Sequence, residues 1–315
     1  MHHSKTNDNP TCPNNKIQQD GRCKYTQRPN LSSVGTFQFT YTDFCECSNY
    51  GNGGIVYFSF STLSPTSLLF DHCVFTDCSC EDLSSDRFGG SLYVYNISSV
   101  SVSHSCFRWN KDTRQTSSGG ALFFASVPSV SIYDDTFIKC CVASLGGAVY
   151  IYNCSTVSRT AKEIDDCRFF NCRGTETYGW GGSMRAGSNH QYNNFITNSL
   201  FSGCSNYYGG AFFLSYPGSF SPSSYISSAM YPVKFCFFNK NFFLHGGAEN
   251  DVVIFADISY TPTDDEPIFQ HCFSTTSSNR VGYYISDGYL SKDVNWLPLA
   301  LNTYASKEDE TYSYR

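Results

Sequence analysis

The chain has 315 residues, of which 41% are hydrophobic and only 15% charged, with a formal net charge of -6. That balance excludes a disordered polyelectrolyte, and it excludes a nucleic-acid surface, which needs clustered Lys and Arg. Ser, Thr, Asn, Gly, Tyr and Phe are abundant, the composition of a β-rich fold with many turns.

Residues 1–35 are polar and turn-rich and read as an N-terminal cap or leader, with Cys12 and Cys23 spaced to close a small loop. Met1-His2-His3-Ser4-Lys5 is not followed by an apolar stretch, so it does not read as a signal peptide. No apolar run reaches membrane-spanning length. The expectation is either a chain that is not secreted or a piece of a longer protein whose targeting segments lie elsewhere.

From about residue 36 to 300 the chain repeats itself. Gly53-Gly54, Gly89-Gly90, Gly119-Gly120, Gly146-Gly147 and Gly209-Gly210 each open a short apolar strand, and weaker copies start at Gly181 and Gly246. A second motif is more regular. It is a Phe with Cys or Asn three residues later: Phe44, Phe75, Phe107, Phe137, Phe169, Phe201 and Phe238, closed by a degenerate copy at Phe273. These Phe residues are 31, 32, 30, 32, 32, 37 and 35 residues apart. Five residues before each stands another apolar residue: Phe39, Phe70, Val102, Ile132, Ile164, Ile196, Val233 and Ile268. Short β-segments with no helical period, recurring near every 30 residues, fit one coil of a parallel β-helix. The pattern lacks the Leu/Asn signature of a leucine-rich repeat and the length of a propeller blade. The expected fold is all-β: a single right-handed parallel β-helix of about eight coils with terminal caps, its hand taken from the crossover rule. Residues 301–315 read as a polar tail.

An odd separation between two inward residues demands a bend between them. It falls three residues before each Phe, at Tyr41, His72, His104, Asp134, Asp166, Asn198, Phe235 and Gln270. Asn, Asp and His tolerate a left-handed backbone, so the row reads as a stacked turn ladder rather than a metal or acid/base site. No cysteines have the double CxxC spacing of a zinc site, and no metal or cofactor is expected. Eight of the 16 cysteines follow the repeat: Cys47, Cys78, Cys140, Cys172 and Cys204 in one row, Cys73, Cys167 and Cys236 in another. Parallel side chains in a ladder match disulfide geometry poorly, which favours buried thiols there. Cys80, Cys141 and Cys154 lie outside these rows and are the better disulfide candidates. Asp134-Asp135, Asp165-Asp166 and Asp264-Asp265 are the carboxylate pairs a polysaccharide-cleaving β-helix would use, accompanied only by Arg168 and Arg185. Their repeat register favours a structural role.

In the Gly-Gly strand the alternate residues Tyr57, Tyr93, Phe123, Tyr150 and Phe213 should face outward, with Arg185 in the weaker copy. Such a stripe is either a binding platform for sugar rings or a protein, or packing for the coil itself. Asn30, Asn96 and Asn153 open Asn-x-Ser sequons, which are compatible with secretion.

The Gly-Gly-Ala-apolar motif at Gly119–Leu122, Gly146–Val149 and Gly209–Phe212 alternates with Phe-x-x-Asn at Phe107–Asn110 and Phe238–Asn241. This resembles the repeat of polymorphic outer membrane proteins of chlamydial type and related β-helix surface proteins of protists. The resemblance covers roughly residues 39–285, with Cys replacing Asn in five of eight sites, and extends to the passenger repeat only. It implies display at a cell surface and adhesion to a glycan or protein of a host or neighbouring cell. The leading expectation is therefore a non-enzymatic surface or extracellular binding module. The alternative is a carbohydrate-active β-helix enzyme.

Overall fold

The computed structural model describes residues 17–19, 22–25, 34–49, 52–80, 88–112, 117–154, 164–174, 179, 181–187, 196–207, 210–215, 233–243, 252–255, 269–270, 272–274, 280–285 and 288–293. The described strands stack in parallel as a β-solenoid. They fall into three sheets. One holds the Phe-centred strands, such as Cys106–Arg108, Thr136–Ile138 and Arg168–Phe170. A second holds two-residue strands just beyond them, such as Lys111–Asp112 and Cys141–Val142. The third holds the Gly-Gly strands and the minus-five strands, which run together where Val56–Asp71 and Leu92–Ser103 cross the corner unbroken. Antiparallel pairing occurs at both ends of the described strands: Ile17–Gln19 with Arg22–Tyr25, and Arg280–Ile285 with Gly288–Asp293.

The predicted inner rows form the core. Phe44, Phe75, Phe107, Phe137, Phe169, Phe201 and Phe238 pair coil to coil in register and are fully buried. Val102, Ile132, Ile164, Ile196 and Val233 do the same one corner earlier. The final copy is a correction. Phe269 pairs with Val233 and Ser274 with Phe238, so the register runs one residue later than the Phe273 motif suggests. Cys272 fixes it: its thiol reaches Val233 O at 3.4 Å, as Cys236 reaches Ile196 O and Cys167 reaches Ile132 O.

The bend row is left-handed at Tyr41, His72, His104, Asp134, Asp166, Asn198 and Phe235, with φ between 47° and 55°. Each of the six bends from Tyr41 to Asn198 donates its N–H to a carbonyl of the next coil, so the backbone donor is kept satisfied at the corner. Two further left-handed rows were not anticipated. One lies two residues after each Phe, at Glu46, Asp77, Trp109, Lys139, Asn171, Gly203 and Lys240. The other follows the Gly-Gly strand at Asn96, Ser126 and Asn153. Two of the three sequons thus sit at a bend that favours Asn, and the Asn96 amide nitrogen already donates to Phe60 O at 2.8 Å.

The geometry explains why Phe-x-x-Asn and Phe-x-x-Cys alternate. Asn110 donates to Phe75 O at 3.0 Å and accepts the Cys78 N–H at 2.9 Å. Asn241 repeats both contacts on Phe201 and Cys204. Cys140, Cys172 and Cys204 send their thiols to the carbonyls of Phe107, Phe137 and Phe169, each at 3.6 Å. Both residues return to the Phe of the preceding coil. Asn satisfies one backbone donor more; Cys is smaller and tolerates the apolar interior better.

Candidate functional site

The outward residues of the Gly-Gly strand form a continuous column. Tyr57, Tyr93, Phe123, Tyr150, Arg185 and Phe213 are successive register partners. Ring centroids are 5.2 Å apart from Tyr57 to Tyr93, 5.0 Å from Tyr93 to Phe123 and 5.1 Å from Phe123 to Tyr150, all near parallel. The Arg185 guanidinium lies 5.6 Å from the Tyr150 ring centroid, a cation–π contact that continues the stack. The Phe213 side chain is outside the described residues.

Exposure is uneven along the column. Tyr57 is 44% exposed, but Phe123 and Tyr150 are only 6% and 9% exposed. Their cover comes from the residue before the Gly-Gly pair: Phe88 sits 4.6 Å from the Phe123 ring, and Leu145 packs on the same cluster. Nothing in the strand pattern announces this; the signal was the apolar residue preceding the first Gly. Tyr152, 53% exposed, lies beside Tyr150 with centroids 6.3 Å apart. Because the rings stack on one another, their faces are occupied. What they offer outward is ring edges and phenol hydroxyls. Burial raises the ionisation of the Tyr93 and Tyr150 hydroxyls above the ordinary range, so both are neutral donors at physiological pH.

The acid pairs divide between inside and outside. Asp134 and Asp166 lie in adjacent coils and share one partner: Arg168 reaches Asp134 at 3.1 Å and Asp166 at 3.6 Å. Asp165 is buried and accepts hydrogen bonds from Thr197 and from Asn198, the latter at 2.8 Å. Asp135 is wholly buried. Asp264 and Asp265 lie outside the described residues.

Asp135 occupies a row with Thr42, Ser105 and Ser199, whose hydroxyls donate to the carbonyl two residues earlier at 2.8–2.9 Å. Its Oδ1 accepts the Ser105 N–H at 2.6 Å, while Oδ2 is buried with no partner among the described residues. Only the protonated acid has the donor this row uses. Burial accordingly pushes the carboxyl well above the ordinary range, aided by the nearby Asp134 charge and opposed by the Ser105 N–H. The folded state therefore keeps a proton that the unfolded chain releases near pH ~3.9, and this residue's contribution to stability falls as pH rises above that value. Asp135→Asn supplies a permanent donor. Its melting temperature should decline less than wild type between pH ~4 and ~8; parallel curves would show that Asp135 is not protonated in the fold.

Fourteen cysteines are described with their side chains, and all fourteen are thiols. This corrects the disulfide expectation for Cys80, Cys141 and Cys154. Cys141 has Lys111 and Arg173 as register neighbours, so no thiol is opposite it. Cys80 donates to Gly89 O at 3.3 Å and Cys154 to Phe124 O at 3.6 Å. Burial holds Cys167, Cys172, Cys204 and Cys236 far above the ordinary thiol range, which makes them unreactive. The Cys12–Cys23 closure involves Cys12, which lies outside the described residues.

One corner of the solenoid carries a second constellation. The Asp71 carboxylate faces two bend histidines, His104 Nδ1 at 2.8 Å from one oxygen and His72 Nδ1 at 3.0 Å from the other. Ser103 donates to Asp71 Oδ1 at 2.9 Å. The imidazoles stack with centroids 4.7 Å apart. Burial acts to raise the Asp71 pKa, but the His104, His72 and Ser103 contacts outweigh it and hold the carboxyl below its ordinary range. A pocket of about 230 Å³ adjoins the pair, lined by His72, His104, Cys106, Arg108, Asp134 and Arg168.

The fold is that of a β-solenoid. Comparison with protein-family models, curated proteins and solved structures gives no match. Among the described residues no helix is long and apolar enough to cross a membrane.

Proposed function

We propose that the chain is a non-enzymatic binding module of a cell-surface or extracellular protein, using its outer aromatic column to hold a protein ligand. The solenoid of this reading is right-handed, has about eight coils over residues 36–300 and is capped at its ends, in the manner of the polymorphic outer membrane protein passengers that its repeat resembles. The supporting observation is the continuous outer stack from Tyr57 to Arg185 with Tyr57 and Tyr152 open to solvent. A row of ring edges and neutral hydroxyls suits a protein surface better than the flat face of a sugar, because the ring faces already contact each other. The partner on this reading is a surface protein of a host or neighbouring cell.

The test is the pair Tyr57→Ser and Tyr152→Ser, read on intact cells before and after protease or glycosidase treatment. Both residues are exposed, so stability should stay within ~0.5 kcal/mol of wild type. Binding should fall by about tenfold or more, the scale of an aromatic hot spot, and protease treatment of the cells should abolish it. Undiminished binding by the double variant would overturn the proposal; loss with glycosidase alone would transfer the ligand to a glycan.

A further inference from the structure

We propose that Asp71, His72 and His104 form a binding site for a borderline divalent metal ion of the zinc type. Their donor atoms, two imidazole nitrogens and a carboxylate oxygen, all lie within 4.8 Å of one another. The contacts from Asp71 to the two rings, 3.0 and 2.8 Å, are slightly short of the ~3.3 Å edge of a tetrahedron with ~2.0–2.1 Å bonds. The two contacts use different oxygens of Asp71 and the set spans up to 4.8 Å, so rotation of the carboxylate and of the exposed rings is what brings all three donors onto one ion. Imidazole with carboxylate is a donor set that suits zinc, nickel and copper, and it is too nitrogen-rich for magnesium or calcium.

The backbone holds the donors in place. His72 and His104 are at left-handed bends of adjacent coils, with φ of 52° and 50°. Their N–H groups are each tied to the next coil at 3.0 Å. The Ser103 hydroxyl donates to Asp71 Oδ1, the oxygen that faces His104, and so orients the carboxylate, the supporting contact that ligands of bound metals usually have. Both rings also line the adjoining pocket, which leaves room for water or an exogenous group as a further ligand. Arg168, in the same pocket, does not oppose a cation strongly because Asp134 and Asp166 pair with it. The bend row needs a residue that tolerates a left-handed backbone, and Asn198 meets that need without an imidazole. Two successive histidines with an acid between their nitrogens exceed what the turn requires.

Zinc titration calorimetry tests the assignment, in a background with His2→Ser and His3→Ser so that the N-terminal imidazoles do not compete. One zinc per chain is expected. His72→Asn, His104→Asn and Asp71→Asn should each weaken binding at least about tenfold, and the double histidine variant should abolish it. Asn already serves this bend at position 198, so melting temperatures measured with chelator should fall only by the ring stacking that the histidines lose; where a histidine variant melts early, Asp71→Asn, which leaves both bend residues in place, gives the reading. Cobalt substitution should show no thiolate charge-transfer band. No zinc binding by the background, binding unchanged in the double variant, or a thiolate band with cobalt would each overturn the proposal.

Discussion

Phe169→Ala is expected to lower the unfolding free energy by ~3–5 kcal/mol, through lost burial and the cavity left behind. Phe169 is fully buried and sits midway in a column of parallel rings, 4.8 Å from both Phe137 and Phe201. The next side chain offers a built-in control. Phe170 follows it in the same strand but points to the other side of the sheet and is only half-buried. Its truncation should cost well under half as much, because a strand alternates its faces. The measurement is denaturant unfolding of the two variants side by side. Equal losses, or a loss below ~1 kcal/mol at Phe169, would mean that the Phe row is not the interior. In a solenoid each coil contacts only its neighbours, so the loss should be concentrated in the coils flanking residue 169. Hydrogen exchange would show weakened protection there first.

The Phe and minus-five rows were legible because burial imposes residue type at fixed spacing, and the spacing hardly varies. The bend at minus three was legible for the same reason at His72, Asp134 and Asn198. Tyr41 and Phe235 occupy that bend too, although neither favours a left-handed backbone. There the coil imposes the conformation, and ring stacking, such as Tyr41 on His72 at 4.9 Å, offsets part of its cost. Glu46, Trp109 and Lys139 show the same override in the plus-two row, which is why that row left no compositional trace. The burial of Phe123 and Tyr150 depends on Phe88 and Leu145, which precede the Gly-Gly pair and do not belong to the strand whose alternation places the column. Asp71 was invisible for another reason. Its register row continues as Ser103, Tyr133, Asp165, Thr197 and Lys234, a mixed series in which an acid carries no signal. Only the stacking of coils shows that it lies between two imidazoles.

Gly147→Ala should be damaging on a similar scale, though it adds a single methyl group. The two glycines of the motif serve different ends. Gly146 has φ of 66°, the left-handed turn that redirects the chain into the strand. Gly147 has no such φ; what it lacks is space. A Cβ at 147 would fall well inside contact distance of the Gly182 carbonyl oxygen in the next coil and of the Arg173 backbone. Gly120 and Gly182 meet the same obstruction from Gly147 and Gly210, so the second glycines form a column along which backbone packs directly on backbone. These are main-chain atoms held in parallel ladders and have no rotamer to yield. Relief requires adjacent coils to part, which breaks the Ala148 N–H to Ser183 O bond of 2.7 Å and its neighbours. Gly147→Ala is therefore expected to cost ~3 kcal/mol or more, above the ordinary range for one substitution. Gly35→Ala is the matched comparison, since nothing lies within 4 Å of its Cβ and its φ is ordinary. Its effect should be neutral, or stabilising by up to ~1 kcal/mol through the unfolded chain. A melting temperature for Gly147→Ala equal to that of Gly35→Ala would show that the coils do not approach as closely as this column requires.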